Sequence, residues 1–305
     1  MAAARTPGPS TTLRDQDLPP LFRVNDLEAI VRQRESFQSI RLHLTILLLA
    51  ATAAMAAEQT DTRAPTALAA VLYGLTIAVG LHTARRRARA AWQVHRAVAE
   101  TVKSLAWHYM VRGGPLHTGV PNPDALFAER LEERLSELRQ VGWEDSRATS
   151  DLLGAGQITP AMRAVRATSF EARRNFYLRE RVLEQLVWYR NKSVQEHQAA
   201  VRWSSVTAGL TFVALVAAVL RTVGMTGGWD LTGLLSAAAA AAVAWHEVRR
   251  HRPLTYAHSR VEQELDTMRV AMGTTVTEES WADAVAETER LVSPQHTDWL
   301  GRFGS

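Results

Sequence analysis

Residues 203–220 read WSSVTAGLTFVALVAAVL and residues 231–245 read LTGLLSAAAAAAVAW, with Arg221–Asp230 between them. Neither run holds a charged side chain, and each is close to the length at which a helix crosses the hydrocarbon layer of a bilayer. Trp203–Trp245 therefore reads as a helical hairpin built for lipid. A second such hairpin lies earlier, in Leu42–Leu81. Its first run, Leu42–Ala57, is about 24 Å long as a helix, slightly short of the roughly 30 Å layer, and snorkelling by Arg41 supplies the remainder. Glu58–Ala64 forms its turn and Pro65 opens its second run. The alternative reading of the same runs is a pair of buried hairpins in a soluble all-α protein.

The basic residues decide the orientation. Arg32, Arg34 and Arg41 precede the first hairpin and Arg85, Arg86, Arg87 and Arg89 follow it, whereas its turn sets one arginine, Arg63, against Glu58 and Asp61. Arg249, Arg250 and Arg252 follow the second hairpin. Positive charge gathers on the cytoplasmic side of spans, so both hairpin ends and both chain termini are expected in the cytoplasm. The clusters at Arg85–Arg89 and Arg249–Arg252 are read first as topology determinants, and arginine-rich vestibules there could attract anionic lipid or an anionic nucleotide.

The remaining chain is polar and helical in pattern. Residues 1–17 read as a flexible tail rather than a signal peptide, because the first hydrophobic run begins too far inward. A helix is predicted to start near Asn25 or Asp26, capped by a side-chain oxygen. The helix after the first hairpin runs on to Gly113, Gly114 and Pro115, and Asp124 is the predicted cap of a short helix carrying Phe127, Leu131 and Leu135. Residues 141–158 read as a linker. Thr159 before Pro160 marks a helix start. From there the chain lacks Pro and Gly until Gly209, which would be about 90 Å of helix to residue 220 if unbroken. Pro253 restarts a helix that Gly273 should break, and Thr275 with Glu278 has the spacing of a capping box for a last helix ending near Leu291. Residues 293–305 read as a loose tail.

Two copies of one design emerge at an offset of 164 positions: His82 falls on His246, Trp92 on Tyr256, Arg96 on Arg260 and Glu100 on Glu264. The domain reading is accordingly 18–140 for the first two-span repeat (spans about 42–57 and 65–82) and 159–292 for the second (spans about 203–220 and 231–246). Matching arginines and glutamates could pair across a pseudo-twofold axis. Chance likeness of two amphipathic segments is the competing account.

Function must then come from the spans. Thr45, Thr52 and Gln59 recur every seventh residue and share one side of the first span, while Thr207 and Thr211 share a face of the third; these are the candidate pore-lining residues. Such hydroxyls can also bond back to the preceding turn, their commoner use. His82 and His246, like His43, sit at cytoplasmic ends of spans, as anchors or as pH-responsive groups. No acidic or basic residue lies deep in a span, which argues against a proton-coupled transporter.

Composition narrows the remaining classes. The 305 residues include no cysteine, so disulfides, thiolate nucleophiles and cysteine-ligated metals are excluded. The formal charge of +4 is carried almost wholly by arginine, Lys103 and Lys192 being the two lysines, and does not by itself mark a nucleic-acid surface. There is no Gly-rich phosphate loop, no His-Glu metal motif and no serine elbow, so neither an enzyme nor a cofactor is expected.

Three further segments carry a resemblance: LPPLFRVNDLEAIVRQRESF (18–37), WQVHRAVAETVKSLAWHYM (92–110) with GGPL after it, and FYLRERVLEQLVWYRNKSVQEH (176–197). Together they resemble the bacterial SLATT superfamily of two-transmembrane domains, here in tandem over about residues 18–270. The resemblance implies a non-catalytic, pore-forming effector in antiphage defence, triggered by a nucleotide-producing or nucleotide-sensing partner protein. It carries over to Arg96, Glu100, Lys103 and Tyr109 in the first copy and to Arg181, Gln185, Tyr189 and Lys192 before the second hairpin, as residues that hold cytoplasmic helices together. Arg260 and Glu264 join them through the repeat.

The sequence thus predicts an all-α integral membrane protein of the bacterial inner membrane, with four transmembrane helices as two duplicated hairpins and long helices extending into a cytoplasmic bundle. A pore passing ions would require a cyclic homo-oligomer, since four small spans enclose little space. A non-conducting scaffold or sensor that recruits a cytoplasmic partner is the alternative.

Overall fold

The computed structural model describes residues 12–60, 62–86, 88–140, 142–143, 156–225 and 231–293. The tail before residue 12, the segment 144–155 of the expected linker, Gly227 and Gly228 of the second turn, and the tail from residue 294 with Trp299 lie outside the described residues. The α-helices are α1 (Pro20–Ala57), α2 (Arg63–Arg86), α3 (Ala88–Val111), α4 (Pro123–Gln140), α5 (Pro160–Arg166), α6 (Phe170–Tyr177), α7 (Glu184–Thr222), α8 (Leu231–Arg249), α9 (His251–Thr274) and α10 (Trp281–Leu291). A π-helical turn, Leu178–Leu183, joins α6 to α7. Among the described residues no strand occurs. Shifted by 164, α1 covers 184–221 and α3 covers 252–275, within a residue of α7 and α9 at both ends.

Chain contacts divide the protein into two compact units. The first unit takes Met1–Ile30, Ala91–Ser193 and Tyr256–Ser305; the second takes Val31–Ala90 and Val194–Thr255.

The first unit is built round aromatic side chains. Trp107 is buried against Phe176 and edge-on to Tyr177, which in turn meets Trp281. Leu21, Met110, Phe127, Leu131 and Leu135 fill the space around them. One close approach fixes a glycine: a Cβ on Gly113 would lie 2.3 Å from Val285 Cγ1, so only a bare backbone lets the end of α3 meet α10. Trp281 Nε1 seals that contact by donating to the Val111 carbonyl at 2.7 Å.

Several local expectations are corrected here. α1 begins at Pro20, not at Asn25 or Asp26, because Gln157 caps it from afar: its Oε1 accepts from Leu21 N at 3.2 Å. Asn25 lies inside the helix, donating to the Leu21 carbonyl and accepting from Trp143 Nε1 and His95 Nδ1. α4 is capped by Asn122, whose side chain accepts from Ala125 N at 3.1 Å, while Asp124 is drawn to Tyr109 and Arg163. The Thr159 cap forms as read, accepting from Met162 N at 3.2 Å. The run after it is not one helix: it stops at Arg166, and Ser169 caps a new start. Gly273 lies in the last turn of α9, which ends at Thr274, so the helix stops within a residue of the expected break. Glu278 forms no capping box, because its carboxylate is 3.4 Å from Arg173 and α10 starts at Trp281.

The second unit inverts the usual packing. Its buried apolar residues are Ile46 and a set of alanines, Ala50, Ala53, Ala69, Ala200, Ala214, Ala217, Ala241 and Ala242. The large side chains point outward: Val71 is 67% exposed, Phe212 65% and Ile77 64%. Water would penalise such a surface heavily, whereas lipid tails match it, and small residues are what let membrane helices approach closely. Four helices of the chain are long and apolar enough to span a membrane.

Candidate functional site

On the spans, the hydroxyls are already engaged with their own helices. Thr52 Oγ1 donates to the Leu48 carbonyl and Thr211 Oγ1 to the Thr207 carbonyl, both at 2.9 Å. Each hydroxyl keeps its lone pairs, so it remains a weak acceptor facing outward. Thr52 and Thr211 are exposed, Thr207 is half-buried, and Thr45 borders a groove of about 700 Å³. The seven-residue stripe loses its last member: α1 ends at Ala57, so Gln59 sits in the turn beyond it and shares no helical face with Thr45 and Thr52.

The groove lies among α1, α7 and α8. Its walls are Leu44 and Leu48, Val206 and Leu210, and the alanines of α8, with Trp203 and Trp245 at one end. Phe37, Trp203 and Trp245 form an aromatic cluster, with Trp245 6.2 Å from Phe37 and 6.4 Å from Trp203 between ring centres. The Arg41 guanidinium lies 5.1 Å over Trp245, and that of Arg249 lies 4.5 Å over Phe37.

The histidines separate into distinct environments. His43 packs against α2 where a Cβ on Gly80 would be 3.4 Å from its ring, while His82 is exposed. His246 is half-buried beside His251, ring centres 5.8 Å apart, and His251 is held through Nδ1 by the Glu196 carboxylate. Sequence reading missed this last pair. Its partners lie 55 positions apart, so no local spacing reveals it.

In the first unit the family-like residues resolve into contacts of unequal depth. Arg181 sits in the π-helical turn with its side chain buried. It grips Glu289 of α10 bidentately, Nε to Oε1 at 3.0 Å and Nη2 to Oε2 at 2.8 Å, and Tyr177 donates to the same Oε1 at 2.8 Å. Both charged side chains are almost wholly out of solvent, 2% and 1% exposed. Burial alone would favour a neutral Glu289, but the charge and bonds of Arg181 outweigh it and hold the carboxyl below its usual range. Nearby, His108 is pushed down by burial. Both side chains also line a cleft of about 530 Å³, with Glu100, Ser104 and Arg134.

Tyr109 donates to Asp124 at 2.6 Å beneath the Arg166 guanidinium; burial and that hydrogen bond push its hydroxyl up to about 12. Lys103 rests over the Phe22 ring, its ammonium pushed down by burial and by Arg181, and Lys192 over Trp188. Tyr189 donates to the Val292 carbonyl and Gln185 is half-buried. The repeat-related arginines each have a partner on their own helix. Arg96 bonds Glu100 on its own helix at 2.7 Å and Arg260 bonds Glu264 on its own at 2.9 Å, because a four-residue spacing already brings the partners together.

The chain matches the family description "SMODS and SLOG-associating 2TM effector domain 3" over residues 19–174 and "SMODS and SLOG-associating 2TM effector domain 1" over residues 177–299. No curated protein and no solved structure matches it. Each matched stretch contains one of the two hairpins, so the chain is a multi-pass membrane protein that belongs to the SLATT family, with two of its effector domains in tandem.

Proposed function

We propose that this protein is a pore-forming membrane effector that conducts ions as a cyclic homo-oligomer. It sits in the bacterial inner membrane with both termini on the cytoplasmic side and acts without catalysis, in antiphage defence. The observation that carries the reading is the inverted packing of the second unit, in a chain made of two effector domains. Four helices packed through alanine leave little room for water between them, so a conducting path is best supplied where several copies meet. The exposed hydroxyls of Thr52 and Thr211 are among the polar groups available to line it. Arginines flanking the hairpins support the cytoplasmic placement of the termini. The trigger is a nucleotide-signalling partner protein, in keeping with the SMODS and SLOG association in the family description.

The test is electrical. Purified protein in a planar bilayer should give reproducible unitary currents, and Thr52→Leu should change their size. A verified oligomer that passes no current would replace the pore with a non-conducting scaffold that recruits a cytoplasmic partner.

A further inference from the structure

The groove among α1, α7 and α8 has a polarity that a passage for ions does not need. Along α1 its lining runs from Arg41 to Leu48, along α7 from Ala199 and Arg202 to Leu210, and along α8 from Arg249 back to Ala238. Each helix therefore contributes a stripe about 10 to 16 Å long that is cationic at one end and apolar at the other. The three cationic ends converge, since Arg41 and Arg249 both lie over the Trp245 ring and Trp203, next to Arg202, packs on that ring.

Among the described residues, no carboxylate lies within 4 Å of Arg41, Arg202 or Arg249. The nearby Glu196 is turned onto His251 and does not line the groove. Two of the arginines rest on aromatic faces, an arrangement that leaves guanidinium N–H groups at the ring edge for an anion.

We infer that this groove seats one anionic glycerophospholipid, its phosphate held by Arg41, Arg202 and Arg249 and an acyl chain laid along Leu44, Leu48, Val206 and Leu210. Charge complementarity selects the headgroup, because three guanidinium groups without carboxylate partners match a net negative phosphodiester and gain less from a zwitterion. The alanine wall of α8 leaves the width for a chain. The seat is not duplicated. At the positions 164 earlier, Ala199, Arg202 and Trp203 are replaced by Glu35, Gln38 and Ser39, and Arg41 has Ser205 as its counterpart. One lipid per chain follows, and the inference stands apart from whether the protein conducts.

Trp203 and Trp245 report the occupant directly. The full chain is reconstituted in phosphatidylcholine vesicles containing a minor fraction of either brominated phosphatidylglycerol or brominated phosphatidylcholine, and tryptophan fluorescence is recorded. Brominated phosphatidylglycerol should quench more strongly, and Trp203→Phe with Trp245→Phe should abolish the excess. Arg202→Gln, at an exposed position, should weaken the preference about fivefold, and adding Arg41→Gln and Arg249→Gln should remove it. Arg34→Gln, off the groove, should leave it intact. Equal quenching by the two lipids would overturn the proposal, as would an excess that survives Arg202→Gln in a variant of unchanged helicity. Equal loss in Arg34→Gln would assign the effect to overall charge, and displacement by inorganic phosphate alone would assign it to a soluble anion; either also overturns it.

Discussion

The two units obey opposite rules. In the first, Trp107, Tyr177 and Trp281 are inside and a charged pair is buried with them; in the second, alanines are inside and Phe212, Ile77 and Val71 face out. Water expels aromatic rings into a core, so the first unit is held by burial of large side chains. Lipid exerts no such pressure, and the second unit is held by close backbone approach and by the medium around it. Identical helical geometry thus serves two solvents, and side-chain size is what separates them.

The largest effect that could break this contrast comes from truncating one ring in each unit. Trp107→Ala should cost about 3–5 kcal/mol in unfolding of the protein in detergent micelles, whereas Phe212→Ala should stay within about 0.5 kcal/mol. Equal losses would mean that the Phe212 face is buried, not lipid-facing. A smaller effect sharpens the first unit alone. Gly113→Ala should destabilise it by about 1–3 kcal/mol, and Val285→Ala, which removes Cγ1 and Cγ2 but leaves Cβ 2.6 Å from the new methyl, should restore only part of the loss. No rescue would place the strain elsewhere.

The smallest expected effect is a pH dependence that arises in the first unit. Burial lowers the pKa of His108 in the folded protein, so the unfolded chain takes up a proton first and stability falls as pH drops below about 6.5. Glu289, also held low, loses its contribution in a lower window, below about 4.5. Melting temperatures of His108→Gln should therefore be flatter than those of the unaltered protein between pH 7 and 5.5. An unchanged slope would show that His108 is not the titrating group.

What the sequence revealed depended on how far apart the cooperating residues lie. The spans were legible because Leu42–Ala57 and Trp203–Leu220 state their solvent within one helix. The Thr159 cap was legible for the same reason. Caps supplied from a distance were not: Gln157 reaches Leu21, 136 positions away, and no local pattern announces it. Arg181 could be singled out, but its partner Glu289 lies 108 positions on, in a helix whose start was misread from Thr275. The stripe ending in Gln59 failed because its spacing assumed a helix that stops two residues sooner. The groove needed three helices at once, and its arginines read singly as flanking charges.

The alanine-rich α8 has one more consequence, for biosynthesis. It belongs to the least apolar of the four candidate spans, and methyl groups alone gain little from hydrocarbon compared with leucine or valine. The leg that emerges first from the ribosome, Trp203–Leu220, carries most of the hairpin's attraction for lipid. The alanine leg follows against a neighbour already in place, so the order of synthesis matches the order in which the two legs gain stability.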